Sequence, residues 1–150
     1  MTANDCKYDF LASDAALSAF LQAFEEGTWP KSAWNHAAHL AVGTCYLLAY
    51  SEHEATDRIR RGIRHYNECA GIVNSDHSGY HETLTKFWLH VLKSRLRQIP
   101  PDQARVTVVK SLIEELAARR DVFREYYSFD VVRSTEARRN WIPPDVKPLP

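Results

Sequence analysis

"AWNHAAHLAVGTCYLLAY", Ala33 to Tyr50, carries no formal charge across eighteen residues. A run of this kind is either a short membrane span or a helix buried nearly all round in a soluble core. Asn35, His36, His39 and Thr44 fall inside it, and several of these side chains would be costly in hydrocarbon. The run therefore reads as the central helix of a soluble protein, capped by Ser32 and ending near Tyr50.

The segments on either side share the helical period. "DAALSAFLQAFEE" sets Leu17, Phe20, Leu21 and Phe24 on one stripe, with Ser13 placed to cap it and Gly27 to end it. Ser51 and Glu54 match the S-x-x-E capping box of a third helix that runs to about Ala70. Its inward stripe is Ala55, Ile59, Ile63 and Tyr66, and Gly71 stops it. Ile72 to Gly79 is a loop. A fourth helix is predicted over Tyr80 to Ile99, burying Leu84, Trp88 and Leu92 before Pro100 and Pro101. Asp102 opens a fifth, with Val109, Leu112, Ile113 and Leu116 facing the core. Beyond about Asp121 the pattern weakens into one or two short helices, one begun by Ser134. "IPPDVKPLP", Ile142 to Pro150, follows as an extended tail. The expected fold is all-α: one domain over 1–150, an up-and-down bundle of four to five helices with a core at about 13–120 and a Pro-rich tail at 121–150.

Composition bounds the function. Nineteen basic side chains balance nineteen acidic ones, so no net electrostatic pull draws the chain to nucleic acid or membrane, and neither partner is expected. The arginine-rich stretches "RIRRGIR", "KSRLR" and "EARRN" read as solvated helix faces. Cys6, Cys45 and Cys69 form an odd set without C-x-x-C spacing, which predicts free thiols and a cytoplasmic protein. No G-x-S-x-G elbow or glycine-rich phosphate loop occurs, so neither a serine hydrolase nor a nucleotide cofactor is supported.

Short connections make consecutive helices antiparallel, which predicts that the ends of helices one, three and five meet the starts of two and four. That places Glu25, Glu26, His36, His39, Tyr66, Asn67, His81 and Glu82 at one pole. The tail leaves from the same pole, so Arg124, Arg138 or Trp141 can fold over it. His36 and His39, three residues apart, share a helix face. His81 leans inward from a first helical turn whose dipole keeps it neutral. The leading reading is a transition-metal site for zinc, iron or manganese with His36, His39 and His81 as ligands. Glu82 would be a fourth ligand or a general base acting through metal-bound water, with Tyr80 beside it as a second catalytic candidate.

Two other readings stand beside it. In a metal-free binding module or His-dependent enzyme, Tyr80, His81 and Arg138 hold a small anionic molecule, with Tyr66 and Asn67 alongside. In a scaffold protein the histidines only satisfy core hydrogen bonds. Ala37 occupies the place of the glutamate in the zinc-protease H-E-x-x-H, and the E-x-x-H of di-iron bundles is missing. Arg138 can anchor an anion, or pair with Glu82 or Asp130 and tie down the tail. His53, His65, His77 and His90 read as surface residues. Cys45 and Cys69 read as buried small hydrophobes, and Trp34, Trp88 and Tyr46 as core.

Three motifs carry a resemblance that spans most of the chain: W-x-H-x-x-H-L from Trp34, G-Y-H-E-T-L-T from Gly79, and S-x-E-A-R-x-x-W-x-x-P-D from Ser134. With them the chain resembles a family of small, functionally uncharacterised, all-helical bacterial proteins. The resemblance supports the choice of site without implying a reaction. By helices and histidines alone the chain is also similar to hemerythrin-like metal proteins, an analogy of architecture.

Overall fold

Capping chemistry sets where each helix begins. The computed structural model describes residues 8–150, so Cys6 lies outside the described residues. Ser13 Oγ accepts the Ala16 N–H at 3.0 Å and starts α1 (Asp14–Glu26). Gly27 ends it at φ 74°, a left-handed conformation natural to glycine. Asn35, not Ser32, caps α2 (His36–Ala49), its Oδ1 accepting the Ala38 N–H at 3.0 Å. Ser32 is instead held in a 3-10 turn over Lys31–Ala33, closed by the Ala33 N–H on the Pro30 carbonyl. The correction matters, because His36 and His39 now both occupy the first turn of α2.

Ser51 caps α3 (Glu52–Cys69) as the capping box predicted, accepting the Glu54 N–H at 3.2 Å. The fourth helix is shorter than predicted at both ends, α4 running Glu82–Leu96. Tyr80 stays in the loop and His81 is the cap, while Gln98 and Ile99 close the far end with three-residue turns. Asp102 lies in a turn before α5 (Arg105–Leu116), whose first residue follows Ala104 and has no side-chain cap. Ser134 starts the short α6 (Thr135–Arg139) by accepting the Ala137 N–H at 3.1 Å. Every regular element among the described residues is helical.

Helix α2 is the hub, packed against α3, α4 and α5; α1 lies on α3 and α5, and α6 on α4. From Ala37 to Tyr46 every α2 residue except His39 is buried, as the uncharged run implied. Among the described residues, no helix is long and apolar enough to cross a membrane. On α4 the buried residues are Glu82, Thr83, Phe87, Leu89, Val91 and Leu92, whereas Leu84 and Trp88 are only half-buried. Cys69 is exposed rather than buried.

Residues 141–150 form no helix, yet hydrogen bonds hold them at several points. The fully buried Thr83 hydroxyl donates to the Asn140 carbonyl at 2.6 Å and accepts the Ile142 N–H at 3.0 Å. Tyr127 donates to the Ile142 carbonyl at 2.7 Å, and Asp145 accepts the Ser128 N–H at 2.9 Å. Trp141 stacks on His90, which is therefore half-buried rather than a surface residue.

Candidate functional site

A cavity of about 770 Å³ lies among α2, α3 and α4, closed by the loop ending at His81 and by the turn from Arg120 to Arg124. That volume is in the range of small-molecule sites. His36, His39, Asn67, Tyr80 and His81 all line it, so the start of α2, the end of α3 and the start of α4 do share one space. Leu84 and Trp88 line it too, which explains why this stripe of α4 is not sealed in the core.

The predicted site residues nevertheless separate into two groups. His81 has no nitrogen to offer. Its Nδ1 accepts the Leu84 N–H at 3.2 Å, and its Nε2 bonds the Val131 carbonyl at 2.9 Å, which fixes Nε2 as the protonated one. The residue is 8% exposed. Burial holds its pKa below the ordinary value, the Val131 carbonyl opposing and Arg138 assisting. Glu82 is equally committed. Arg60 grips both carboxylate oxygens, with Nη2 2.6 Å from Oε1 and Nε 2.9 Å from Oε2, and the Tyr80 hydroxyl donates to Oε2 at 2.9 Å. Burial pushes the Glu82 carboxyl up, but Arg60 and Tyr80 more than reverse this and leave it below the usual range.

Arg138 takes neither of its predicted partners. Its guanidinium donates to the carbonyls of Gly79 at 2.9 Å and Val132 at 3.2 Å, tying α6 to the loop. Gly79 sits at φ 76°, and a Cβ there would come within 2.6 Å of the Val73 carbonyl, so the loop needs glycine at that point. Asn74 organises the same loop, accepting from Asn67 Nδ2 at 2.9 Å and from the Tyr80 N–H at 3.0 Å. Tyr66 is fully buried and donates to the Trp29 carbonyl at 2.7 Å.

His36 and His39 are bonded far less completely. His39 Nδ1 donates to the Asn35 carbonyl at 2.7 Å, and its ring lies 3.9 Å from that of Trp34. His36 stands edge-on to Trp88, ring centres 4.5 Å apart. Its Nε2 is buried with no hydrogen-bond partner. Burial, then the proximity of His39 and Arg120, lower the His36 pKa to about 4, with the Leu116 backbone and Asp121 opposing. Burial also lowers that of His39; the Asn35 carbonyl opposes this and Arg120 adds to it. Both rings are neutral at pH 7, as expected at a helix N-terminus.

Among the described residues, no three His, Cys, Asp or Glu side chains come together as a metal-ligand group. Sequence reasoning missed Arg120 and Asp121 on the cavity wall, although the logic that brought Arg124 to this region, departure from the end of the fifth helix, applies equally to them. It also missed Arg60, hidden among arginines taken as solvated. Comparison with family models, curated proteins and solved structures finds no match to this chain, so geometry alone carries the functional reading.

Proposed function

We propose that this is a binding protein for a small organic molecule, which enters the cavity and meets His36 and His39 without a metal. The observation that carries the reading is the His36 Nε2, buried and unpartnered on a residue that lines the cavity. A buried nitrogen without a partner costs about 1–3 kcal/mol, part of which a ligand would recover if the ring turned toward the cavity. Binding fits better than catalysis. An imidazole with a pKa of about 4 is a weak general base at neutral pH, and the Glu82 carboxylate is already paired with Arg60. On this reading the helices form an up-and-down bundle with the site at one pole. The unpaired Cys45 and Cys69 suit a reducing cytoplasm.

The metal reading requires His81 to give up the Leu84 N–H on Nδ1 or the Val131 carbonyl on Nε2, or His36 and His39 to act with a third ligand from elsewhere. Thermal denaturation of untagged, chelator-treated protein against a broad panel of small organic molecules separates the two. Stabilisation by a panel member, lost when Leu84→Trp fills the cavity, supports the proposal. If nothing in the panel binds, or binding appears only after zinc, iron or manganese is restored, the metal-free reading falls.

A further inference from the structure

We infer that the ligand is an amphipathic monocarboxylate, such as an aryl-acetate or medium-chain fatty acid, with its carboxylate on Arg120 and its apolar part toward Gly43. The inference rests on the cavity being a small-molecule site and adds which chemistry it selects.

The charge on the cavity wall is the first argument. Three formally charged side chains line it: Arg120, Asp121 and Arg124. Arg124 lies 3.7 Å from Asp121 and 3.8 Å from Asp130, so its charge is offset within the protein. Arg120 has no hydrogen bond or ion pair with any described residue. It stands close enough to His36 and His39 to lower the pKa of both. The start of α2, which carries both of these histidines, lines the cavity beside it, and helix N-termini favour an anion. One unpaired guanidinium with Asp121 nearby matches a single negative charge and disfavours a phosphate dianion.

The shape of the cavity is the second. Beyond the imidazoles the wall turns apolar, with Leu40, Ile59, Ile63, Leu89 and Leu92. Gly43 lets α2 and α4 approach closely there, since a Cβ would come 2.9 Å from Leu92 Cδ1 and 3.6 Å from Leu89 Cδ2. From His36 to Gly43 is two helical turns, roughly 10 Å. A carboxylate at one end and a phenyl ring or alkyl chain at the other span that length, with the indoles of Trp34 and Trp88 flanking the junction.

Isothermal titration with phenylacetate and octanoate, each paired with its neutral amide, tests the assignment on the parent and on Arg120→Ala. Arg120 is exposed, so the variant is expected to fold. The acids should bind the parent about tenfold more tightly than the amides. Arg120→Ala should erase that difference while leaving amide affinity unchanged. Equal binding of acid and amide, or acid affinity unaltered in Arg120→Ala, overturns the carboxylate assignment and leaves the cavity as a small-molecule site. Failure of all four compounds also overturns it, and the broad panel then decides the cavity reading by itself.

Discussion

Two helix starts, Asn35–His39 and Tyr80–Thr83, look alike in sequence: each sets imidazole beside polar neighbours ahead of an apolar run. The structure uses them in opposite ways. At the start of α4, His81 makes two hydrogen bonds, Glu82 takes donors from Arg60 and Tyr80, and Thr83 both gives and accepts. At the start of α2, His39 keeps one bond to a backbone carbonyl and His36 Nε2 has none. A chemically rich motif saturated by internal partners belongs to the fold; hydrogen-bonding capacity left over beside a cavity is where a ligand can contribute.

The comparison is broken most forcefully at Glu82. Glu82→Ala leaves the buried Tyr80 hydroxyl without its acceptor and Arg60 with only Asp57, 2.8 Å from its Nη1. A pair of which Glu82 is 7% exposed should cost roughly 2–4 kcal/mol when opened, allowing for the partly solvated arginine. Urea denaturation measures this. A loss below about 1 kcal/mol would mean that the α4 start is not structural, and its carboxylate would return as a functional candidate.

Histidines sharpen the contrast by sign. His81→Ala removes a helix cap and the tie to Val131, an expected loss of about 2 kcal/mol, and His81→Asn should restore the capping share. His36→Leu removes an unpartnered nitrogen and keeps an apolar contact for Trp88, so it should leave stability within about 0.5 kcal/mol of the parent, or raise it. If both histidines cost the same, His36 is an ordinary satisfied core residue and the two helix starts are equivalent.

Titration follows from the same geometry. His36, His39 and His81 all have pKa values held below the ordinary 6.5, that of His36 at about 4. The unfolded chain therefore takes up these protons first as the solution is acidified. The stabilising contribution is complete above pH 6.5 and is lost progressively as pH falls toward 4. Urea midpoints should drop between about pH 7 and about pH 5, and His36→Leu should flatten that slope. An unchanged slope in the variant would show that His36 titrates normally.

What was legible in the sequence was whatever depends on local pattern. The apolar stripe of α3, Ser13 and Gly27 at the ends of α1, and Ser134 before α6 are short-range signals, and each appears where its spacing placed it. Caps failed where two candidates competed. Ser32 lost to Asn35 because Pro30 commits the preceding residues to a 3-10 turn. His81 became a cap because its Nδ1 reaches the Leu84 N–H, an option that rules written for Ser, Thr, Asp and Asn do not include. The candidate site was legible as a set of residues near one space, but not as an assignment of partners. Arg60 on Glu82, 22 residues apart, and Val131 on His81, 50 apart, are long-range choices that no spacing encodes.

Adjacent arginines on α6 supply the smallest test. Arg138 and Arg139 are identical in chemistry, yet one donates inward to loop carbonyls and the other forms an exposed fork onto Asp76, with Nε 2.7 Å from Oδ1. Arg138→Ala strips donors from the carbonyls of Gly79 and Val132 and should cost about 1–2 kcal/mol. Arg139→Ala should cost about 0.5 kcal/mol or less, because solvent already screens that pair. Added salt separates the two further: a molar concentration shortens the screening length to about 3 Å, which should remove the remaining Arg139 contribution while the buried carbonyl bonds of Arg138 persist. A double-mutant cycle between Arg139 and Asp76 that gave more than about 1 kcal/mol in high salt would place the clasp between tail and loop among the structural contacts. The loop closing the cavity would then be held as firmly from its exposed side as from its buried one.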